Sequence, residues 1–385
     1  NGIPVNDMEN GWVYWSNWFG LDIMTKTIQV QRGLGASKLA IPAVGGTLNI
    51  LTKGVDNVKK TIFSENIGNN GLLRTTIGHN SGKLKNGWGY SIAGSYKRGN
   101  GWVDQTWTEG FFYYLKLEKK IKNHKVSLSA FGAPQQHGQR SYRKEIVLYD
   151  KSYAAGLGID TANVVGDFGL RYNEHWGELN RYRVIFDEND NPIDTLFREN
   201  EKINSKKNYY HKPQISLNHF WSKSDKLIIS NVIYASFGSG GGTGITPSVT
   251  QESGGFDQNR QINFQSIFNN NSGNTRHPFF GDFSIDPLYS LTEHKSTQIL
   301  RSSINNHKWF GLLTTYNYEL NDNYTLSGGI DLRKYTGEHY REVYDLLGGD
   351  YFVSNEIAAV DSNNILRKGD KFAYHNDGLV KWGGV

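Results

Sequence analysis

Apolar and polar residues alternate along most of the chain, in segments of about ten residues set between turns rich in glycine, asparagine and lysine. The alternation starts at Ile28, Val30 and Arg32, interleaved with Gln29 and Gln31, which is the period-two signal of a short strand. Gly33 and Gly35 break it, Leu39 to Val44 carries a short apolar piece around Pro42, and Gly45-Gly46 breaks the chain again before a second short strand over 47–52. Longer strands are then predicted over 57–67, 71–79, 87–97, 110–120, 125–133, 214–221, 226–237, 309–319 and 324–334. The first two are joined by the hairpin turn Gly68-Asn69-Asn70-Gly71. In 110–120, Phe111, Tyr113, Leu115 and Leu117 oppose Phe112, Tyr114, Lys116, Glu118 and Lys120; in 214–221, Ile215, Leu217 and Trp221 oppose Gln214, Ser216 and Asn218. These make about nine strands, most of them near the ten-residue length of a tilted strand that crosses a bilayer.

A soluble β-sandwich alternates too, so two further features decide. The polar faces carry charges and small residues, as a wet lumen allows, and several apolar faces begin or end in Tyr or Trp, as at a membrane interface. Connections also alternate in length. Asn80–Asn86, Ile121–His124, Ser222–Asp225 and Leu320–Asn323 are short, whereas 98–109, 135–208, 238–308 and the stretch from 336 onward are long. Loops beyond about fifteen residues are uncommon in compact soluble domains. Short turns at one end and long loops at the other describe an outer-membrane barrel.

Composition agrees with this picture. There are 44 Gly, 22 Tyr, 19 Phe and 10 Trp against 2 Met and no Cys, which suits tight turns and interfacial rings and removes disulfides and thiolate metal sites. The mean hydropathy of −0.57 and the lack of a long apolar run exclude a transmembrane helix, but a barrel whose alternate residues face a polar lumen is still allowed. The net charge of +5 is spread too thinly to argue for nucleic acid.

The stretch Val30-Gln31-Arg32-Gly33, Ser37 to Val44, and Gly45-Gly46-Thr47-Leu48-Asn49-Ile50-Leu51-Thr52-Lys53 resembles the end of the plug domain of TonB-dependent outer-membrane receptors, and Gly2-Ile3-Pro4-Val5-Asn6-Asp7 resembles an earlier plug strand of that family. Arg32, Gly33, Gly45, Gly46 and Asn49 carry the signature. The resemblance implies an all-β, mainly antiparallel fold: an outer-membrane β-barrel with a small α+β plug in its lumen. Residues 1–54 would be the C-terminal part of the plug, and 55–385 the first barrel strands with long extracellular loops near 135–208, 238–308 and 336–380. A plug-bearing barrel takes about 22 strands, so the chain reads as an incomplete piece. The signal peptide and TonB box would lie before residue 1 and the remaining strands after residue 385. The implied partners are TonB with its inner-membrane energising complex, outer-membrane lipid or lipopolysaccharide, a small solute and a surface lipoprotein.

No motif carries catalysis: there is no HExxH, GxSxG or phosphate-binding loop, and no cofactor or metal is expected. The run Asp187, Asn189, Asn191 lacks the glycine and terminal Glu of a calcium loop and reads as a polar turn, and Glu252 is a further loop carboxylate weighed for calcium. Gly238 to Gly244 is read as a flexible loop. Trp12, Tyr14, Trp15 and Trp18 cluster in a segment that the resemblance places at the plug apex, where they either stack on a ligand or pack on the barrel wall. His137, Arg140 and Trp176 are candidate binding-cavity residues in the long loop 135–208. Arg32 at a strand end should pair with a lumen carboxylate, for which Glu118, Glu319 and Asp331 are candidates. The expectation is therefore energised uptake of a scarce solute, a ferric siderophore or similar cofactor or else an oligosaccharide or peptide, by a receptor and not an enzyme. A surface adhesin or carbohydrate-binding barrel and a secreted glycoside hydrolase are the competing classes.

Overall fold

The computed structural model describes residues 1–33, 45–55, 58–141, 143–250, 254–277, 281–354 and 364–384. The connector Ser37 to Val44 and Glu252 lie outside them. A short helix, α1 (Leu21–Met24), leads into two strands, β1 (Thr25–Arg32) and β2 (Gly46–Thr52), paired antiparallel with Ile28 opposite Ile50. Gly33 N–H donates to Gly45 O at 3.3 Å and closes the hairpin. Gly46 has φ of +121° and lies against the Gln31 carbonyl where a Cβ would collide, so glycine is required at 46 on both counts. Asn49 ties the leading segment to this hairpin: its carbonyl oxygen accepts from Gly2 N–H at 3.3 Å and its amide donates to Gln29 at 3.0 Å.

The remainder is dominated by one antiparallel sheet built from β3 (Lys60–Gly68), β4 (Leu72–Asn80), β5 (Trp88–Gly99), β6 (Thr108–Ile121), β7 (His124–Gly132), β8 (Gln135–Gly138), β11 (Lys207–His211), β12 (Gln214–Ser222), β13 (Leu227–Thr246), β15 (Ile299–Asn321), β16 (Tyr324–Asp345) and β19 (Lys371–Gly384). The order in space follows the order in sequence, with β8 continuing β7 and β11 leading into β12, so the described strands make ten passes in a meander. The expected all-β, antiparallel class is found. The tenth pass, β19, falls inside the stretch expected to be loop. The short turns do gather at one end of the sheet, although the first hairpin, 69–71, is also short and sits at the other end.

Tyr90, Leu117, Leu128, Leu217, Ile233, Leu312 and Leu332 stand opposite one another across seven neighbouring strands, and every one is exposed. Water does not tolerate an apolar surface of that extent, whereas a bilayer covers it. Trp88, Trp221, Tyr318 and Tyr324 border the band towards the short turns; Tyr96, Phe111, Tyr113 and Phe237 border it towards the long connections. From Ile229 to Phe237 the band spans about 26 Å along β13 at the usual rise per residue.

The opposite face buries the N-terminal unit. Met8 and Ile3 pack against Val232, Tyr234, Trp309, Leu313 and Tyr335; Met24, Leu21, Ile23 and Phe19 pack against Phe112, Tyr114 and Ala133. Tyr114 Oη and Lys116 Nζ both donate to Lys53 O at 3.2 Å. The inward alternation of β6, aromatic next to the unit and charged towards the short turns, therefore follows what each position meets.

The long connections are folded. β13, β15 and β16 continue well past the aromatic border, so half of each 20- to 23-residue strand lies beyond the band. Gly238 to Gly244 is part of β13, paired to β11 and β15. It is not a flexible loop: at Gly240 a Cβ would lie 2.7 Å from Tyr210 Cα, so the run exists to let Tyr209 and Tyr210 close on the strand. The first long connection holds α2 (Lys151–Gly156) and a hairpin of β9 (Trp176–Phe186) and β10 (Pro192–Asn204), whose turn is capped by Asp187 accepting from Asn189 and Asn191 N–H at 2.9 and 2.8 Å. The later ones add α3 (Phe264–Asn271) and a small sheet of β14 (Lys295–Ser296), β17 (Tyr351–Val353) and β18 (Ile365–Leu366). Leu179, Ile203, Ile262, Phe264, Phe268 and Leu347 form the core of this cap.

Candidate functional site

The N-terminal unit presents its own turn, residues 7–12, at the end of the sheet that bears the long connections. Asp7 holds it: its carboxylate accepts from Glu9 and Asn10 N–H at 3.0 and 3.1 Å, and its carbonyl accepts from Gly11 N–H at 2.9 Å. Glu9 then reaches the wall. Its Oε1 accepts from Tyr335 Oη at 2.7 Å and contacts His339 Nε2 at 2.9 Å. His339 Nδ1 is 2.8 Å from Asn305 Oδ1, and Tyr210 Oη donates to Asn305 O at 2.9 Å. With its hydrogen so used, Tyr210 accepts from His307 Nδ1 at 3.1 Å, which leaves His307 Nε2 as a buried lone pair beside Gly238. Burial, then the nearby Lys212 ammonium, push His307 down to about 3, and burial with the Asp7 carboxylate raises Tyr210. Lys212, in the link above β12, sits between the Trp18 and Trp309 rings at 5.6 and 5.3 Å.

The four predicted apical rings divide between the two roles that the sequence leaves open. Trp12 is 70% exposed and Tyr14, tied to Asn10 Nδ2 at 3.0 Å, is also exposed at the apex. Trp15 is exposed and overhangs a cavity of about 300 Å³ lined by Ile3, Pro4, Val13 and Leu48. Trp18 is buried, 5.9 Å from the Phe131 ring. His137 lies on β8 between Gln135 and Gln139, at a cavity of about 370 Å³ lined by Ser16, Phe19, Lys97 and Thr108. Arg140 and Trp176 are not brought to the apex. Arg140 clamps the first long connection by donating to Leu170 O and Tyr172 O at 3.0 and 3.1 Å, and Trp176 Nε1 is buried within the cap.

The Arg32 ion pair does not form among the described residues. Arg32 is exposed at the end of β1, Glu319 is exposed at the short-turn end, Glu118 pairs with Lys125 at 3.2 Å, and Asp331 pairs with Arg333. A cation two positions away on the same strand satisfies Asp331 without any long-range partner. The ion pair that does join the two parts runs the other way: Asp22 accepts both guanidinium nitrogens of Arg74 on β4 at 3.0 Å. Sequence reasoning missed Glu9, Tyr210 and Tyr335. The one available signal was the glycine run in β13 opposite the Tyr209-Tyr210 pair.

No protein-family model matches the chain, and no curated protein does. Solved structures do match. FpvA, the pyoverdine outer membrane receptor from Pseudomonas aeruginosa PAO1 bound to pyoverdine, has a TM-score of 0.54 at 10% identity over 94% of this chain and 42% of its own. BauA, the ferric preacinetobactin receptor from Acinetobacter baumannii, gives 0.52 at 12% identity over 94% and 43%. The chain has the fold of the outer-membrane receptors. It spans less than half their length. The apical cluster lies where the N-terminal unit, the sheet and the loop cap meet.

Proposed function

We propose that the chain is the plug and first barrel strands of a TonB-dependent outer-membrane receptor that takes up a scarce small solute, a ferric siderophore or similar cofactor. The observation that carries this reading is the seating of residues 1–33 and 45–55 on the inner face of a lipid-banded wall, with Trp12, Tyr14 and Trp15 exposed at the long-loop end. A bare surface barrel has no use for such a unit. Stacking on exposed rings and hydrogen bonding to the groups around Glu9 and His339 suit a planar, polar chelate held without bond-making. The receptors of similar fold are described as binding pyoverdine and ferric preacinetobactin, which supports the substrate class. An energising complex would then draw the plug aside from its periplasmic end.

The test is uptake of ⁵⁵Fe-labelled chelates by iron-starved cells that rely on the full-length protein, with and without TonB. Trp12→Ala with Tyr14→Ala should weaken binding at least tenfold while the barrel still inserts. TonB-independent accumulation, or binding indifferent to both rings, would overturn the reading.

A further inference from the structure

Three successive turns at the periplasmic end, 81–87, 121–124 and 222–227, share a composition absent from the opposite rim. With their strand ends they carry Lys83, Lys85, Lys119, Lys120, Lys122, Lys125, Lys223 and Lys226 against Glu118 and Asp225. Among the described residues, Lys125–Glu118 is the one ion pair there. At the other end several cations are paired: Arg181 with Glu201 and Asp345, Arg276 with Asp282, Arg367 with Glu293. These three turns therefore concentrate positive charge, whereas the fourth short turn at the same end, 320–323, with its strand end carries Glu319 and Asp322.

Its height on the wall is set by aromatic rings. Lys119 Nζ lies 4.9 Å from the centre of Trp88 and donates to Asn86 O at 2.7 Å; Lys223 Nζ lies 5.6 Å from the centre of Trp221. Those two rings end the apolar band, so both ammoniums sit where hydrocarbon gives way to headgroups. Lys83, Lys85 and Lys122 are exposed on the turn tips just beyond, interleaved with exposed Leu84 and Ile121. An apolar side chain flanked by lysines dips into acyl chains while its neighbours' ammoniums reach outward.

We propose that this rim is a binding surface for anionic glycerophospholipids of the periplasmic leaflet, with phosphates held by Lys83, Lys85, Lys119, Lys122 and Lys223 and acyl chains lying on Trp88, Leu84 and Ile121. An acidic protein would meet the charge, but only a lipid offers phosphate and hydrocarbon together at the level of the rings. The inference rests on the outer-membrane reading above. Each lysine near an anionic surface contributes about fivefold at low ionic strength.

The test inserts the full-length protein into phosphatidylcholine vesicles doped with brominated-chain phosphatidylglycerol or, separately, brominated-chain phosphatidylcholine, and reads quenching of tryptophan fluorescence. Trp88→Phe and Trp221→Phe assign the signal, and heat-modifiable migration on gels checks folding. The anionic lipid should quench several-fold more at equal doping, and the excess should vanish in high salt and in the variant with all five lysines changed to glutamine. Equal quenching by the two lipids, or an excess that survives the five substitutions, overturns the proposal while the membrane reading stands. Capture of a polyglutamate peptide by the rim without lipid preference assigns it to an acidic protein and overturns it as well. No quenching by either lipid would refute the membrane reading itself.

Discussion

Tyr335→Phe isolates the contact that holds the apex of the N-terminal unit to the wall. Tyr335 is 3% exposed and donates to Glu9 Oε1 at 2.7 Å; the Glu9 side chain is 25% exposed. A hydrogen bond to a charged group is worth about 1.5–3 kcal/mol net. A carboxylate that keeps some water belongs in the lower half of that range, about 1.5–2 kcal/mol, and His339 on the same oxygen keeps the turn from release altogether. The turn's own hydrogen bonds, Gly11 N–H to Asp7 O and Asp7 N–H to Trp12 O, are left intact, so the loss falls on opening of the turn as a unit. Amide hydrogen exchange at Glu9, Asn10, Gly11 and Trp12 in the full-length protein should accelerate by about 10- to 30-fold, the equivalent of that free energy. Exchange at Ile28 and Val30 should not change. In a Glu9→Ala background, Tyr335→Phe should add nothing, because the acceptor is already gone. Unchanged exchange in the single variant, or full additivity in the double, would refute the tether.

Acid should loosen the apical cluster and the cap. His307 and His175 are both pushed down to about 3, by burial first and then by neighbouring lysines, whereas in the unfolded chain an imidazole titrates near 6.5. Between those values the unfolded chain binds more protons, so this stability is fully present above about pH 6.5 and is lost as pH falls towards 3. The urea midpoint should drop between pH 7 and pH 4 and do so less steeply in His307→Gln; a flat profile would count against the buried imidazoles. Gly241→Val should destabilise the outer half of β13 by about 1–3 kcal/mol, since a Cβ there meets Ser303 O at 2.5 Å and Ser302 Oγ at 2.8 Å. A fall in thermal midpoint checks it, and no change would mean that the strand can yield. Ile233→Lys, at the middle of the apolar band, should cost about 2–4 kcal/mol in folding titrations into vesicles. A neutral result would show that this face is wet.

The period-two pattern determined which side chains face out. Leu115, Leu117, Leu128, Leu217, Ile233, Leu312 and Leu332 are all exposed, because a strand's alternation is local and a bilayer imposes the same demand on every pass. It also fixed the strand order, since short turns force neighbours to pair. The glycine signature placed the hairpin of β1 and β2 for the same local reason: only glycine tolerates the φ of +121° at residue 46. β19 is not legible in the sequence because Lys371–Gly384 alternates poorly and is ordered as a strand by pairing with β16.

Everything that gives the site its chemistry needed the tertiary structure. Glu9 meets Tyr335 and His339 across more than three hundred residues, and Asp22 meets Arg74 across fifty-two. No spacing rule reports such encounters. The outer halves of β13, β15 and β16 read as loop because both of their faces meet protein, and without a lipid face there is no alternation to read. The Arg32 pairing rests on the premise that a strand-end charge is buried; among the described residues no such pair forms, and lysine and arginine neighbours on the wall satisfy Glu118 and Asp331. Local pattern thus specified the wall, while the contacts between N-terminal unit, wall and cap were decided by folding in three dimensions.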